Sequence, residues 1–326
     1  MRLKLPIFPH NPCLRHNLRG IRLNRQRGLA LVLVLWMLTL LAVMAGSFAL
    51  SMRRETAIMM GVKNTAQARA VAEAGIAIAE LMLLDTDPSL RWLTDGHIYE
   101  INYAGARVRI RLLSEAGKID INTADEARLQ ELMSHAGIDE TTQLQIVNAI
   151  LDWRDGDDLT RIDGAEKNEY QAAGLKYAPS NKSFQSLAEL QMVLGMNSDV
   201  FNWLEPLITV YSNQQVNPQK ASREVLQVLN LTDAASEPQI PEPPPIPDNP
   251  FAAAAQRALQ PAGQTDANEA VTIIAEAMLD TDRTTVVKAV VKKSSKAGEA
   301  FEILDWQTDV SGRTSLFAAD MDALLY

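Results

Sequence analysis

The spacing of apolar positions changes at several points along the chain, and the first change is the most informative. Leu29–Leu50 is an uninterrupted run of 22 residues without a charge. As a helix this run would span about 33 Å, enough to cross the hydrocarbon core of a bilayer. Beyond it, apolar residues recur at spacings of three and four, which is the pattern of one helix face. These residues are Ala66, Ala70, Ala74, Ala77, Leu81 and Leu84. Together the two patterns predict a single helix from Leu29 to Leu84, ended by Asp85–Pro88.

Strands are predicted early and late in the chain. His97–Tyr103 and Ala106–Leu113 alternate apolar and polar residues around Ala104–Gly105, which predicts a hairpin. Two later runs are rich in Val, Ile, Ala and Thr, as strands are, and a third run follows them. The first two runs are Glu269–Leu279 and Thr284–Lys293, which are separated by the sequence DTDR. The third run is Ala300–Trp306.

The middle of the chain, from about Ala116 to Leu231, has helical patterning. Lys118–Met133 and Ser212–Leu229 share an Asn after an apolar residue, a polar turn, and then a helix with Leu at i and i+3. The Asn is expected to cap or order the turn before each helix. This similarity between the two segments suggests two similar helical modules. Ser236–Pro250 is rich in proline and predicts an extended, solvated linker.

Charge is distributed unevenly along the sequence. Met1–Gly28 holds seven Lys and Arg and no acid, which leaves 24 basic against 40 acidic residues in the remainder. An acidic remainder disfavours binding to nucleic acid or to an anionic lipid surface. The single cysteine, Cys13, lies in the basic leader, and the only histidines after the leader are His97 and His135. The sequence therefore offers no disulfide or Cys-based metal site after the leader, and little for His-based catalysis.

The apolar run admits three interpretations: a signal peptide, a plain membrane anchor, or an anchor with a second use. It is longer than the apolar region of a signal peptide. The basic leader predicts a cytoplasmic N-terminus, and Arg53 and Arg54 on the far side do not reverse that bias.

A basic leader ending in Gly28, directly followed by an apolar helix with an amphipathic continuation, resembles the N-terminus of type IV pilin-like proteins. The resemblance implies that a prepilin peptidase cuts between Gly28 and Leu29 and that the anchor is kept. Most such proteins carry Glu at the fifth mature position, where this chain has Leu33. An acid inside a membrane needs a partner, which in the filament is thought to be the amino group of the neighbour on the tip side. The missing acid therefore suggests a subunit that caps the tip.

Further motifs follow one another in a fixed order: ARAVAEAGI, EAGKIDINTA, ILDWRDGDD, GAEKNEY and FQSLAELQMVLGM. In this order they resemble the protein K family of the type II (general) secretion system, the largest minor pseudopilins. The resemblance implies an α+β fold: a type IV pilin-like long N-terminal helix and an antiparallel sheet, interrupted by a large all-α insertion of two SAM-like, helix-hairpin-helix-like modules. It also implies a single-pass protein of the inner membrane with a periplasmic C-terminal domain. The resemblance further implies the minor pseudopilins I and J as partners, and a role in assembly rather than as an enzyme.

The predicted segments follow from these patterns and from the resemblance. They are a cleaved leader (1–28), a transmembrane helix (29–50), the pilin-like helix with the first strands (51–115), a first helical module (116–211), a second (212–235), a Pro-rich linker (236–267), late strands (268–310) and a tail (311–326).

An acid-rich stretch, Asp152–Tyr170, holds seven acids against three bases. Clustered carboxylates repel unless a cation lies among them, and Ca²⁺ takes six to eight oxygen ligands from such loops. Counted from Asp155, the spacing of Asp155, Asp157 and Glu166 fits the first, third and twelfth positions of an EF-hand loop. Leu159 and Thr160 break the EF-hand pattern, so a solvated acidic loop bridged by arginines is the alternative. Additional candidate ligands are Asp158, Asp163 and Glu169. The family resemblance implies that calcium binds here.

Two other functions compete with the secretion role. His135–Ile150 is similar to the second half of a DNA-binding helix-hairpin-helix, whose Gly-x-Gly turn presents amides to phosphate. Asp139 replaces the second Gly, however, and no Lys or Arg lies in this segment. A metal-dependent hydrolase would need a water-activating group and an oxyanion stabiliser, and no nucleophile or phosphate-binding motif is present.

Overall fold

A long N-terminal helix dominates the first part of the structure, which is a computed structural model. It describes residues 27–85, 87, 90–231, 269–279, 284–296, 299–308 and 314–326. Helix α1, Arg27–Leu83, has 57 residues, so the predicted single helix is confirmed. Its side chains are exposed through the apolar run, and by length and composition the helix could cross a membrane. By contacts, the chain divides into 1–60 and 61–326.

The second unit is built on a five-stranded antiparallel sheet. Its strands are β1 (Asp95–Tyr103), β2 (Ala106–Ser114), β5 (Ala270–Met278), β6 (Thr284–Lys293) and β7 (Phe301–Thr308), in the order β1-β2-β5-β6-β7. The predicted hairpin is confirmed as β1 and β2. Its turn residues Ala104 and Gly105 both have positive φ, 50° and 78°, as a two-residue hairpin turn requires. The turn DTDR lies outside the described residues.

One face of the sheet packs on the C-terminal half of α1. Their common core includes Ile76 from the helix and Val108, Ile110 and Ala275 from the strands. The approach is closest at Gly75, where an added Cβ would lie 3.0 Å from Val108 Cγ1 and 3.1 Å from the Cβ of Ala275. The helix can lie this close to the sheet because position 75 has no side chain.

The helical middle is inserted between two neighbouring strands. Strand β2 pairs with β5 through Ser114 and Val271, so the insertion leaves and rejoins the sheet at one place. Its helices are α2 (Glu126–Ser134), α3 (Glu140–Arg154), α4 (Lys167–Ala172), α5 (Ser198–Leu204) and α6 (Arg223–Val228), with a 3-10 helix at Leu187–Met192.

The insertion is not entirely helical, which corrects the all-α prediction. Two short strands, β3 (Ile119–Asp120) and β4 (Ile208–Thr209), pair in parallel. Asp120 secures the connection, because its Oδ2 accepts hydrogen bonds from the Asn213 amide (2.7 Å) and the Ser212 hydroxyl (3.0 Å). Strands of two residues are too short to show an alternating pattern.

The two similar segments, Lys118–Met133 and Ser212–Leu229, begin their helices in the same way. Asp125 caps α2 and Ser222 caps α6, each accepting a hydrogen bond from the backbone three residues on. Of the two asparagines, Asn217 orders a turn by accepting from the Gln219 amide at 3.0 Å. Asn122 instead exchanges two hydrogen bonds with the backbone of Phe184. Both segments contribute to one apolar core, and their division into two modules remains a prediction.

Polar contacts hold the insertion against the sheet. Lys118 Nζ lies 2.5 Å from Glu115 Oε1 and 3.0 Å from the Thr272 hydroxyl on β5, and all three residues are buried. The Thr272 and Thr209 hydroxyls also donate to the Glu115 carboxylate. This buried ion pair has its remaining acceptor positions satisfied, which a charge in the interior requires.

The last segment, Thr314–Tyr326, crosses the other face of the sheet and contains a 3-10 helix at Ala319–Leu324. We call this segment the strap. Leu316 packs with Ile98, Leu113 and Ile274 in a small apolar cluster. The leader 1–26 and the predicted Pro-rich linker 236–267 lie outside the described residues.

Candidate cation site

The acidic stretch forms the connection between α3 and α4. Helix α3 buries its apolar face in the insertion core and ends with Asp155 as its C-cap. Glu166 is the N-cap of helix α4 and forms a reciprocal capping box with Glu169. The intervening residues 156–163 are exposed, so the two ends of the loop are fixed and its middle faces solvent.

Asp152 organises the loop from the buried face of α3. Its side chain is fully buried, and its Oδ2 accepts a hydrogen bond from the Arg161 amide at 3.2 Å. A Cβ at Gly164 would collide with the same oxygen, so the loop backbone can approach only because residue 164 is glycine. The second oxygen, Oδ1, lies 3.2 Å from Arg161 Nε but forms no hydrogen bond of acceptable geometry, because the contact is misaligned.

Several oxygens at the two ends of the loop are buried without a hydrogen-bond partner. Besides Asp152 Oδ1, they are Asp155 Oδ1, Glu166 Oε1 and the amide oxygen of Asn181. Such orphaned acceptors are rare in folded proteins and indicate an unoccupied requirement for a donor or a cation. Asp155 and Glu166, two of the three principal predicted ligands, are among them.

The other predicted ligands have partners or face outward. Asp157 is exposed and accepts from the Leu159 amide at 2.9 Å. Asp158 accepts from the side-chain amide of Asn181 at 2.9 Å, and Glu169 accepts from the Glu166 amide at 2.9 Å. Asp163 is an exposed turn residue with φ of 60°.

The electrostatics of the site favour a bound positive charge. Burial, followed by the neighbouring carboxylates of Asp152, Asp155, Asp158 and Asp157, raises the pKa of Glu166 to about 7. Burial likewise raises the pKa of Asp152. Arg161 neutralises part of this charge, because its guanidinium lies 3.2 Å from Asp152 Oδ1 and 3.6 Å from Asp155 Oδ2. Ionisation of Glu166 beside the same carboxylates nevertheless remains unfavourable.

Two participants were not predicted as ligands. Asp152 belongs to the acid-rich stretch but does not fit the EF-hand spacing, and Asn181 lies 24 residues beyond Asp157, to whose backbone carbonyl its Nδ2 donates at 2.9 Å. In the described part of the chain, no three His, Cys, Asp or Glu side chains already stand in a metal-ligand arrangement. The orphaned oxygens therefore mark donors that fit a hard cation, without a finished coordination shell.

The fold places the chain in a defined class: a long N-terminal helix packed on an antiparallel sheet that is interrupted by a largely helical insertion. Residues 106–213, which span β2 and most of the insertion, match the family described as type II secretion system (T2SS), protein K. The resemblance to protein K predicted from the ordered motifs is thereby confirmed.

Proteins of similar sequence are also described as protein K of type II secretion systems. The chain is 28% identical over 219 residues to "Type II secretion system protein K" of Klebsiella pneumoniae. It is 25% identical over 213 residues to "Putative type II secretion system protein K" of Escherichia coli K12. Each match covers 60% of this chain and just under two thirds of the relative, 66% and 65%.

A solved structure shares the fold. The match is to a chain of the crystal structure of the GspK-GspI-GspJ complex from the enterotoxigenic Escherichia coli type 2 secretion system. It covers 79% of this chain and 100% of that chain, with a TM-score of 0.52 and 14% identity. The predicted α+β fold class is confirmed.

Proposed function

We propose that this protein is a minor pseudopilin of a type II secretion system. The observation that carries the proposal is the position of the insertion. It separates two neighbouring strands that follow a long apolar helix in the sequence, and most of it lies within the residues that match the protein K family.

The apolar helix serves as the single membrane anchor. A prepilin peptidase cuts the precursor between Gly28 and Leu29, which lie at the start of α1. The basic leader holds the N-terminus on the cytoplasmic side of the inner membrane, and the second unit lies in the periplasm. After extraction, the apolar surface of Leu29–Leu50 exchanges lipid for neighbouring helices, so it is never exposed to water.

The subunit occupies the tip of the pseudopilus. Leu33 cannot neutralise the amino group of a neighbour, since it lacks the acid that most pilin-like proteins carry at this position. The insertion, residues 116–231, adds about a third of the chain's full length beside the sheet, and this bulk obstructs addition of another subunit above it. Its partners are the minor pseudopilins I and J, which the similar structure contains.

The acidic loop binds a structural Ca²⁺ ion. Asp155 and Glu166 are its principal ligands, with Asp152 and Asn181 as further donors and Asp157 at the exposed side. When bound, the ion supplies charge neutralisation and ties the start of α4 to the end of α3. The donors are carboxylate and amide oxygens, which are the ligands that calcium prefers.

The structure gives little support to DNA binding. Asp139 caps α3, and its Oδ1 accepts from the Thr142 amide at 3.0 Å. Hydrogen bonds from the Thr142 hydroxyl and amide lower the pKa of Asp139, so a negative charge stands where a helix-hairpin-helix would bind phosphate.

A complementation experiment tests the secretion role. A strain lacking this gene should fail to export its type II substrates, and the full chain should restore export and co-purify with the I and J subunits. A Gly28→Val precursor should remain uncleaved and should not restore export. Gly46→Val is the matched control, because a Cβ at that position would meet no side chain beyond its two chain neighbours and no backbone outside its own stretch of helix within 4 Å. Normal export in the deletion strain, or a mature N-terminus elsewhere than Leu29, would contradict the proposal.

A further inference from the structure

The strap is held on the sheet by two buried charged side chains from the strands. Arg109 Nη1 donates to the Leu316 carbonyl and to Asp322 Oδ1, both at 2.8 Å. Glu276 accepts from the Ser315 hydroxyl at 2.7 Å and from the Leu316 amide at 2.5 Å. The strap backbone is therefore recognised by charge-assisted hydrogen bonds, which are the stronger kind.

An aromatic contact and a strand-like contact complete the docking. The Phe317 ring lies 4.8 Å from the Arg109 guanidinium and 5.4 Å from that of Arg107, within the range of cation–π attraction. At the outer edge of β1, Leu325 forms a parallel bridge with Ile98, and the Tyr326 amide donates to the Ile98 carbonyl at 2.9 Å. The strap thus docks in the way that an added peptide strand docks on a sheet edge.

The face beneath the strap is less apolar than the opposite face of the sheet. The opposite face, against α1, is a continuous apolar core, whereas the four buried apolar residues here are Ile98, Leu113, Ile274 and Leu316. The central positions carry the charged side chains of Arg109 and Glu276, which water would solvate if the strap were displaced. Arg109 also keeps a partner, because its Nε donates to Glu100 at 2.7 Å. Only Leu316 of the strap is buried.

The strap does not fill the space available to it. A cleft of about 580 Å³ lies between the strap, the sheet and the insertion, lined by Met321, Val286, Asn202 and Glu224 among others. A segment that follows the path of the strap with bulkier side chains would gain contacts that the strap itself leaves unmade.

We propose that this face of the sheet is a peptide-docking site, occupied in cis by the strap and open to a partner protein when the strap is displaced. The partner presents an extended segment with the chemistry of the strap: an aromatic residue for the Arg107–Arg109 pair and an acid five residues further on for Arg109. An apolar residue then adds to the edge of β1. The site is separate from the acidic loop, and the inference does not depend on the secretion role.

The test uses the full chain in detergent and a fluorescent synthetic peptide with the sequence Thr314–Tyr326. The double variant Phe317→Ala, Asp322→Ala weakens the hold on the strap, because it removes the aromatic contact and the bond to Arg109, and leaves the docking face intact. It should bind the peptide, while the wild-type chain, whose strap is docked, should bind at least about tenfold more weakly.

Changes in the peptide identify the contacts without altering the protein. Asp322→Ala in the peptide should weaken binding by about tenfold, the value of one lost charge-assisted hydrogen bond. Asp320→Ala is the matched control and should bind as the unchanged peptide does. Equal binding by wild type and released variant, or no binding by a released variant that unfolds cooperatively, would overturn the proposal.

Hydrogen exchange on the wild-type chain keeps the proposal testable if the released variant does not fold. Amides of the strap should exchange much faster than those of β5, because a displaceable segment opens without global unfolding. Equal protection of the two segments would show that the strap is a fixed part of the sheet and would overturn the proposal.

Discussion

In the absence of calcium, we expect the second unit to lose stability as pH rises from 5 to 7.5, and Glu166 to cause much of that loss. Its pKa rises from 4.5 to about 7 on folding, because the carboxyl is buried beside other carboxylates. The folded state therefore holds the proton more tightly than the unfolded state does. This contribution is fully present below about pH 4.5 and is lost as pH rises through about 7.

The size of the effect follows from the same shift. Ionising a carboxyl whose pKa has risen this far costs about 3 kcal/mol. For a folded unit of this size, that corresponds to a fall of roughly 6 to 12 °C in melting temperature. Calcium should cancel the loss, since an ion bound only to the native state stabilises it by mass action.

Thermal unfolding of the full chain at pH 5 and pH 7.5, with a chelator or with millimolar calcium, measures both effects. Glu166→Gln should make the chelated protein more stable at pH 7.5 and remove most of the calcium response. Glu140→Gln, which replaces an exposed acid on α3, is the matched control and should behave as wild type. Equal melting temperatures for chelated wild type at the two pH values would refute the reasoning.

Four further predictions concern packing and assembly. Gly75→Val should lower stability by about 1–3 kcal/mol in denaturant titrations, because its side chain overlaps the sheet; unchanged stability would contradict the close contact. Lys118→Met should cost about 3–5 kcal/mol by the same measurement, since it leaves Glu115 buried without its cation. N-terminal sequencing should find Gly28→Val uncleaved. Leu33→Glu should leave secretion unchanged or slightly reduced, and increased secretion would count against the tip position.

Regular patterns in the sequence were enough to predict the large elements. The helix face of α1 and the alternation in β1 and β2 extend over several periods, so their type and approximate bounds follow from spacing alone. Strands β3 and β4 are held instead by the hydrogen bonds of Asp120 to residues more than 90 positions away. No local pattern can encode such a contact.

Two of the buried carboxylates that lack a hydrogen-bond partner, Asp155 and Glu166, were among the predicted ligands. The EF-hand spacing selects Asp155 and Glu166, and in the structure both cap a helix, so the helices fix their positions. The acids between them were also candidates, yet Asp157 faces solvent. Asn181 reaches the site from a separate segment, so only the tertiary fold brings its oxygen there.

The docking face shows how a correct pattern can still mislead. Arg107, Arg109 and Arg111 alternate with apolar residues along β2, and such alternation ordinarily indicates that the polar side faces water. In the structure Arg107 is exposed, but Arg109 is buried beneath the strap, where it binds Asp322. Polar positions along a strand therefore identify the face of the sheet that is not an apolar core. They do not establish that this face is exposed to solvent. Whether water or a peptide covers that face depends on contacts more than 200 residues apart in sequence.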